Sequence, residues 1–344
     1  MTTGVVVSAS ADANYDAYLG GCETPNPFHR RAWGDAVARA CGHRQHHLVA
    51  LRADRPVGIL PLTEIRSLLF GKSLVSNGFA VEGGALADDA AALSALAGAA
   101  ADLARKAGIQ VVEWRGGATP QGWTEKDDLY ATFAREIPAD EDECLKAIPR
   151  KQRADVRKAI SSDLTSRTGR GERDLTDHYA VYSASVRNLG TPVFPRALFR
   201  RVLEAFGEDA DILTVLDGDR PVASVLSVYD RGTVFPFWGG GIFEARALKA
   251  NERMYWDLMR HAAARGADRF DFGRSKVGTG AYSYKKNWGF TPEPLSYSYW
   301  LADGAEIPER NPNSPRYKTL TETWSRLPLW AANLAGPYIA RNLG

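Results

Sequence analysis

The sequence predicts an α/β (α+β) protein built from two tandem domains, each a mixed sheet flanked by helices. Three observations carry that reading. LVALRADRPVGILPL (48–62) returns as LTVLDGDRPVASVLSV (213–228), two alternating apolar runs around a shared Asp-Arg-Pro-Val, which is the pattern of a β-hairpin. A helix closed by glycine occurs twice, ending at Gly108 and at Gly266. Each helix leads into a short strand with an acidic–aromatic pair, Glu113-Trp114 and Asp271-Phe272. The shared prolines lie 165 residues apart, and the glycines and the acidic residues each lie 158 apart. So steady an offset reads as an internal duplication.

In chain order, residues 24–40 read as a turn entering an amphipathic helix, and His47–Arg52 with Val57–Leu62 form the first hairpin. Ser73–Ser76 is a further strand leading to Gly83-Gly84, which Trp238-Gly239-Gly240-Gly241 echoes in the second copy. Asp88 or Asp89 caps the Ala/Leu-rich helix that runs to Lys106, before the strand Gln110–Trp114. Between the copies, Leu145–Ile160 is a basic helix that starts at Pro149 and brings Arg150, Arg153 and Arg157 to one face. That face is either solvated or a cradle for phosphate. Ser161–Arg173 is polar and reads as loop, as does the Pro/Asn-rich stretch Glu306–Pro315. Tyr317–Leu343 holds a helix and an apolar tail broken by Pro328 and Pro337, packed on the body and able to touch a membrane surface. The boundaries expected are 1–144, a basic linking segment 145–172, 173–305, and a tail 306–344.

The chain has 344 residues, 44% hydrophobic and 24% charged, with 43 basic against 41 acidic side chains. That balance excludes a protein held on bulk DNA by charge alone. Cys22, Cys41 and Cys144 are isolated and form neither a disulfide framework nor a metal cage, as expected in a reducing cytoplasm. No signal peptide and no spanning segment is read, so the expected location is cytoplasmic, up to the inner face of the membrane. His43, His46 and His47 lack acidic or cysteine partners at ligand spacing, so no metal is expected. Val277-Gly278-Thr279-Gly280 lacks the P-loop pattern, and no G-x-S-x-G nucleophile elbow occurs.

Chemistry concentrates in GADRFDFGRSKVGTGAYSYKKNWGF (266–290). An alternating strand breaks at Gly273 into a glycine-rich turn with Arg274, Ser275 and Lys276, followed by Tyr282, Tyr284, Lys285, Lys286 and Trp288. Cations and hydroxyls delivered at a strand end suit an anionic, partly planar ligand. A surface hairpin with ordinary Lys and Tyr is the competing reading.

The order hairpin, strand, glycine turn, helix, strand resembles the GNAT acyltransferase fold, and two in tandem resemble the FemAB family, in particular its exosortase/PEP-CTERM exopolysaccharide-associated group. The motifs are Gly58–Leu62 with Phe70–Ser76, Asn251–Trp256, Phe270–Ser275 and Lys285–Phe290, over roughly 25–320. The resemblance implies a peptidyltransferase-like enzyme that forms an amide on an amine of a cell-envelope or exopolysaccharide precursor. It implies no tightly bound cofactor but a donor co-substrate, aminoacyl-tRNA or an acyl thioester on CoA or an acyl-carrier protein. The family's aromatic–Lys pair matches Tyr284-Lys285, and its first-domain acidic residue matches Glu113. The long coiled-coil arm of some Fem proteins is missing here.

An activated donor needs positioning and oxyanion stabilisation. Lys285 is the candidate for the oxyanion, with Arg274 as a second or as a phosphate anchor. Glu113 or Asp271 would accept the acceptor's proton, if burial raises its pKa. Either carboxylate is equally readable as structural, Glu113 through pairing with an arginine. Tyr282 and Trp238 are candidates for the pocket lining, although aromatics at strand ends more often belong to a core. Alternatives are a GNAT-type N-acyltransferase using thioesters, and a non-catalytic module binding a sugar-nucleotide or an assembly partner.

Overall fold

A computed structural model describes residues 4–9, 12–67, 71–307 and 315–344. The chain forms two compact units: unit 1 comprises Met1–Leu129, Leu295–Arg310 and Arg341–Gly344, and unit 2 comprises Tyr130–Pro294 and Asn311–Ala340. Unit 1 begins with β1 (Val6–Ser8), α1 (Asp12–Gly21), α2 (Arg31–Cys41), β2 (Arg44–Arg52), β3 (Arg55–Ser67) and β4 (Gly71–Ser76). It continues through β5 (Leu86–Ala87), α3 (Ala90–Ala107), β6 (Val111–Arg115) and most of β7 (Thr124–Thr132). Then come β8 (Ala134–Glu136), α4 (Glu141–Ala147), α5 (Arg150–Ile160), β9 (Thr165–Gly169), α6 (Glu172–Asn188) and α7 (Arg196–Phe206). The second repeat proper is β10 (Ala210–Asp217), β11 (Arg220–Asp230), β12 (Thr233–Gly241), α8 (Ala245–Leu248), α9 (Ala250–Ala264) and β13 (Arg269–Asp271). Last are β14 (Ser275–Lys276), α10 (Gly280–Asn287), β15 (Glu293–Leu301), α11 (Pro315–Ser325) and α12 (Leu329–Ala340).

The duplication is visible strand by strand. β2 and β3 form an antiparallel hairpin, as do β10 and β11. The first turns through Ala53 and Asp54, both at positive φ, and the second through Gly218 at φ 59°. Left-handed turn residues match the twist of the strands they join. Each hairpin continues into a third antiparallel strand, β4 or β12. A helix then returns the chain to a parallel strand: β6 beside β4, with Val75 opposite Glu113, and β13 beside β12, with Val234 opposite Phe270. Asp89 caps α3 by accepting from the Ala92 N–H at 2.9 Å, and Gly108 ends it at φ 63°. The core of unit 1 packs α3 residues such as Leu96 and Ala100 on Leu60, Leu74 and Val112. In unit 2, Met254, Leu258 and Met259 of α9 pack with Val215, Val225 and Phe270.

The sheets close in a way that linear boundaries do not describe. In unit 1 the strand beside β6 is β15, antiparallel, from the chain beyond the second repeat. In unit 2 the strand beside β13 is β8, antiparallel, from the chain just after the first repeat. Each repeat's parallel strand is thus covered by a strand that follows the other repeat.

Three local expectations change. The polar stretch 161–173 contains β9, which pairs with β10 at the edge of its sheet. Thr-Ser-Arg-Thr-Gly carries no apolar alternation because most of it faces water. The aromatic and basic cluster after Gly278 is a helix, α10, started by Thr279, whose hydroxyl accepts from the Tyr282 N–H at 3.3 Å. The glycine echo is not positional: Gly239–Gly241 lie on β12 itself, whereas Gly83-Gly84 lie in coil after β4. A Cβ on Gly84 would overlap the Gly116 carbonyl, while one on Gly241 would stand 2.8 Å from Asn251 Oδ1. Phe70 and most of Glu306–Pro315 lie outside the described residues. Among the described residues no helix is long and apolar enough to cross a membrane.

Candidate functional site

The site builds up from the end of β13 in unit 2. β12 and β13 pair at only two positions, Thr233 with Arg269 and Val234 with Phe270, and β12 then runs on to Gly241. α9 places Tyr255 in the opening; a Cβ on Gly239 would stand 3.0 Å from Val225 Cγ2 and 3.3 Å from the Tyr255 hydroxyl, so the strand is tight for any side chain there. The Tyr255 ring meets Phe272 edge-on at 4.8 Å and also approaches Tyr284 and Trp288, at 6.0 and 6.1 Å. The Tyr284 hydroxyl, Trp288 Nε1 and Asn251 Oδ1 are buried here without a hydrogen-bond partner. Burial raises the Tyr284 hydroxyl well above its ordinary value, a rise that the nearby Trp288 Nε1 opposes only in small part. Buried polar atoms are nearly always satisfied, so three orphans near one opening mark it as a place built for polar company.

Asp271 closes β13. One carboxylate oxygen accepts from the Gly273 N–H at 2.7 Å. Burial raises its carboxyl above the ordinary value, against the pull of that hydrogen bond and the charges of Lys285 and Arg269. Lys285, one turn into α10, donates to the carbonyls of Phe272, Gly273 and Arg274 at 2.7, 3.0 and 2.9 Å. Burial pushes its ammonium down to about 7, with the Asp271 charge opposing and Arg274 adding. All three Lys285 hydrogens are therefore engaged on the 272–274 turn. The sequence makes Lys285 the candidate for the oxyanion; the structure instead places its ammonium on the backbone of the turn.

The remaining candidates divide. Arg274 stacks over the Tyr130 ring at 4.8 Å, and Ser275 is buried in β14 opposite Ala131. Tyr282 is half-buried, edge-on to Phe133 at 5.3 Å. Trp238 is a core residue, 3% exposed and packed on Phe199 and Phe237. On α5, Arg150 and Arg157 are exposed. Arg153 instead donates to the carbonyls of Ile148 and Lys146, closing the end of α4. Tyr255, Asn251 and Trp288 were not singled out as site residues; Gly239 and Gly241 of β12, which Tyr255 and Asn251 of α9 approach, were the available signal.

Glu113 sits in unit 1 at the position in the repeat that Asp271 holds in unit 2. It is 5% exposed and bound by Arg115 Nε at 2.7 Å. The same guanidinium donates to the carbonyls of Asn77 and Ala80, and the Arg115 carbonyl accepts from the N–H groups of Gly83 and Gly84. The Tyr297 hydroxyl adds a bond to the Val81 carbonyl at 2.7 Å. Glu113 thus anchors the arginine that organises the 77–84 loop. His43 meets the Arg341 carbonyl and His46 pairs with Glu64, and no three His, Cys, Asp or Glu side chains among the described residues gather as a metal site.

Residues 150–286 match the acetyltransferase (GNAT) domain family, a span that includes Asp271, Arg274 and Lys285. The crystal structure of FemX superposes with a TM-score of 0.68 at 14% identity, over 92% of this chain and 100% of that one. A tandem GNAT protein from the clavulanic acid biosynthesis pathway matches with 0.54 at 12%, over 88% and 100%. The fold is a tandem GNAT fold. L-PGS from Bacillus licheniformis shares it, with a TM-score of 0.53 at 12% identity over 89% of this chain and 99% of that one. No curated protein matches the sequence. The candidate site belongs to the second GNAT unit, between the end of its parallel strand pair and the helix that follows.

Proposed function

We propose that the chain is an acyl- or aminoacyltransferase that forms an amide on an amine of a cell-envelope or exopolysaccharide precursor. The observation that carries this reading is the opened β12/β13 pair of the GNAT-matched unit, with a half-buried carboxylate and a half-buried ammonium at its mouth. The acceptor arrives as an ammonium and gives one proton to Asp271, whose raised pKa suits it to that task. The free nitrogen attacks the acyl carbonyl, and a tetrahedral centre forms. It collapses with cleavage of the C–O or C–S bond, and the departing alcohol or thiol takes the nitrogen's remaining excess proton. Lys285 keeps the 272–274 turn in place and so orients Arg274 toward an anionic part of the donor. The relatives support transfer chemistry in general, while the donor (aminoacyl-tRNA or an acyl thioester) and the acceptor (a glycan precursor) are what the FemAB resemblance implies.

Titration of the purified protein with acyl-CoA and with charged and uncharged tRNA at fixed salt tests the reading. Saturable binding of one donor, weakened about tenfold or more by Arg274→Ala, is expected, since charge-assisted contacts to phosphate are worth about 1.5–3 kcal/mol. Equal binding of charged and uncharged tRNA, together with no acyl-CoA binding, would reject it. Ligand binding with no amide product from either donor would instead favour a binding module.

A further inference from the structure

α12 is packed the reverse of an ordinary surface helix. Its small residues Ala332, Gly336 and Ala340, spaced by four, are buried. Gly336 lies against Val193, where a Cβ would come 3.0 Å from the backbone nitrogen, and Asn333 Nδ2 donates to Ser183 of α6. Two residues round the helix, a rotation of about 200°, stand its largest side chains. Trp330, Leu334 and Tyr338 are 72, 66 and 65% exposed. A helix that hides alanine and glycine while showing tryptophan, leucine and tyrosine has its apolar face turned outward.

The surface around it continues the theme. Leu329 shares the lining of a groove of about 600 Å³ with Phe243, which is 84% exposed at its rim. Leu320 of α11 and Leu189 at the end of α6 are 60 and 69% exposed, and Gly190 packs on Thr321 between them. The acidic groups at this groove are already neutralised, Asp177 by Arg167 at 2.6 Å and Glu244 by Arg220 at 2.9 Å. Arg187, in the same groove, donates to the Ser325 carbonyl, while its Nε is buried without a partner. α12 carries no charge, and the segment 315–344 has Arg316, Lys318, Arg326 and Arg341 against Glu322 alone.

Tryptophan and tyrosine settle at the boundary of water and hydrocarbon, leucine below it, and flanking arginines beside lipid phosphates. A formal excess of three positive charges in this segment complements an anionic head-group layer. We propose that unit 2 docks on an anionic bilayer surface through Trp330, Leu334 and Tyr338 of α12. This inference does not depend on the transfer chemistry, because docking is read with no donor or acceptor present.

Co-sedimentation of the full chain with phosphatidylcholine vesicles, with and without phosphatidylglycerol, tests it against the triple variant Trp330→Ser/Leu334→Ser/Tyr338→Ser. The expected result is binding that needs phosphatidylglycerol, weakens in high salt, and falls about tenfold or more in the variant. The three side chains face outward, so thermal melting of the variant should match the parent. Parent protein left in the supernatant with both vesicle types overturns the proposal, as does a variant that binds as well as the parent. A parent that ignores vesicles but forms a dimer in sedimentation velocity, lost in the variant, also overturns it and assigns the face to a second copy.

Discussion

The same position in the repeat is used in opposite ways by the two units. In unit 1, Glu113 on β6 is locked to Arg115, both are almost fully buried, and the guanidinium is consumed by backbone carbonyls. In unit 2, Asp271 on β13 faces a cation that bonds the backbone instead of the carboxylate, and burial raises its pKa. One copy spends its acidic residue on fastening a loop; the other leaves it unneutralised by any direct ion pair among the described residues. The two units share the strand order, while the pairing at one strand end sets whether its carboxylate is held in an ion pair.

The largest effect expected from breaking this comparison is in unit 1. Arg115→Ala strands the Glu113 carboxylate and the carbonyls of Asn77 and Ala80, and should cost about 3–5 kcal/mol in urea denaturation. The double variant Glu113→Leu/Arg115→Met should recover a large part of that loss, because an apolar pair leaves no buried charge. If Arg115→Ala is as stable as the parent but inactive, Glu113 is chemical rather than structural.

The unit 2 side is sharpened by pH. The Lys285 ammonium lies near 7 in the folded protein against 10.5 when unfolded, so between those values the unfolded chain holds a proton that the native state has lost. Stability of the parent should therefore rise with pH across that window, with a slope approaching about 1.4 kcal/mol per pH unit at its centre. Lys285→Met should lack this rise and should lose turnover, because the 272–274 turn is released. Parallel stability profiles for the two proteins from pH 7 to 10 would show that the ammonium is not perturbed.

The smallest effects separate the arginines of α5. Arg153→Ala removes two bonds at the end of α4 and should cost about 1 kcal/mol without changing donor affinity. Arg150→Ala/Arg157→Ala should alter stability by less than about 0.5 kcal/mol, and should weaken a phosphate-bearing donor if this face meets it. Thermal melts beside donor titrations distinguish the two cases.

Much of the fold was legible because duplication repeats its own signals. The Asp-Arg-Pro-Val turns, the Gly108 and Gly266 helix stops and the apolar alternation of β2, β3, β10 and β11 are local, and local chemistry sets them. β9 was hidden because an edge strand in water needs no apolar pattern, and α10 because glycine and tyrosine mask a helix whose only announcement is the Thr279 cap. Within the site, Asp271, Arg274 and Lys285 could be read from their clustering at a strand end. What Lys285 bonds could not, since three backbone carbonyls leave no trace in side-chain sequence. The part played by the Tyr284 hydroxyl and the Trp288 ring nitrogen was hidden for a related reason: they matter because they lack partners, and only coordinates show that.

The crossing of β15 and β8 also bears on how this chain comes into being on the ribosome. β6 waits for its antiparallel neighbour until synthesis has passed Leu301, long after the rest of the first repeat has emerged. β13 has the opposite experience, since β8 is already made when it appears. The second repeat is thus the first able to finish its sheet, and the first repeat completes only after the second has been made. A nascent chain stalled before β15 would expose one flank of β6, which makes the sheet of the first repeat a late reporter that the second repeat has been synthesised.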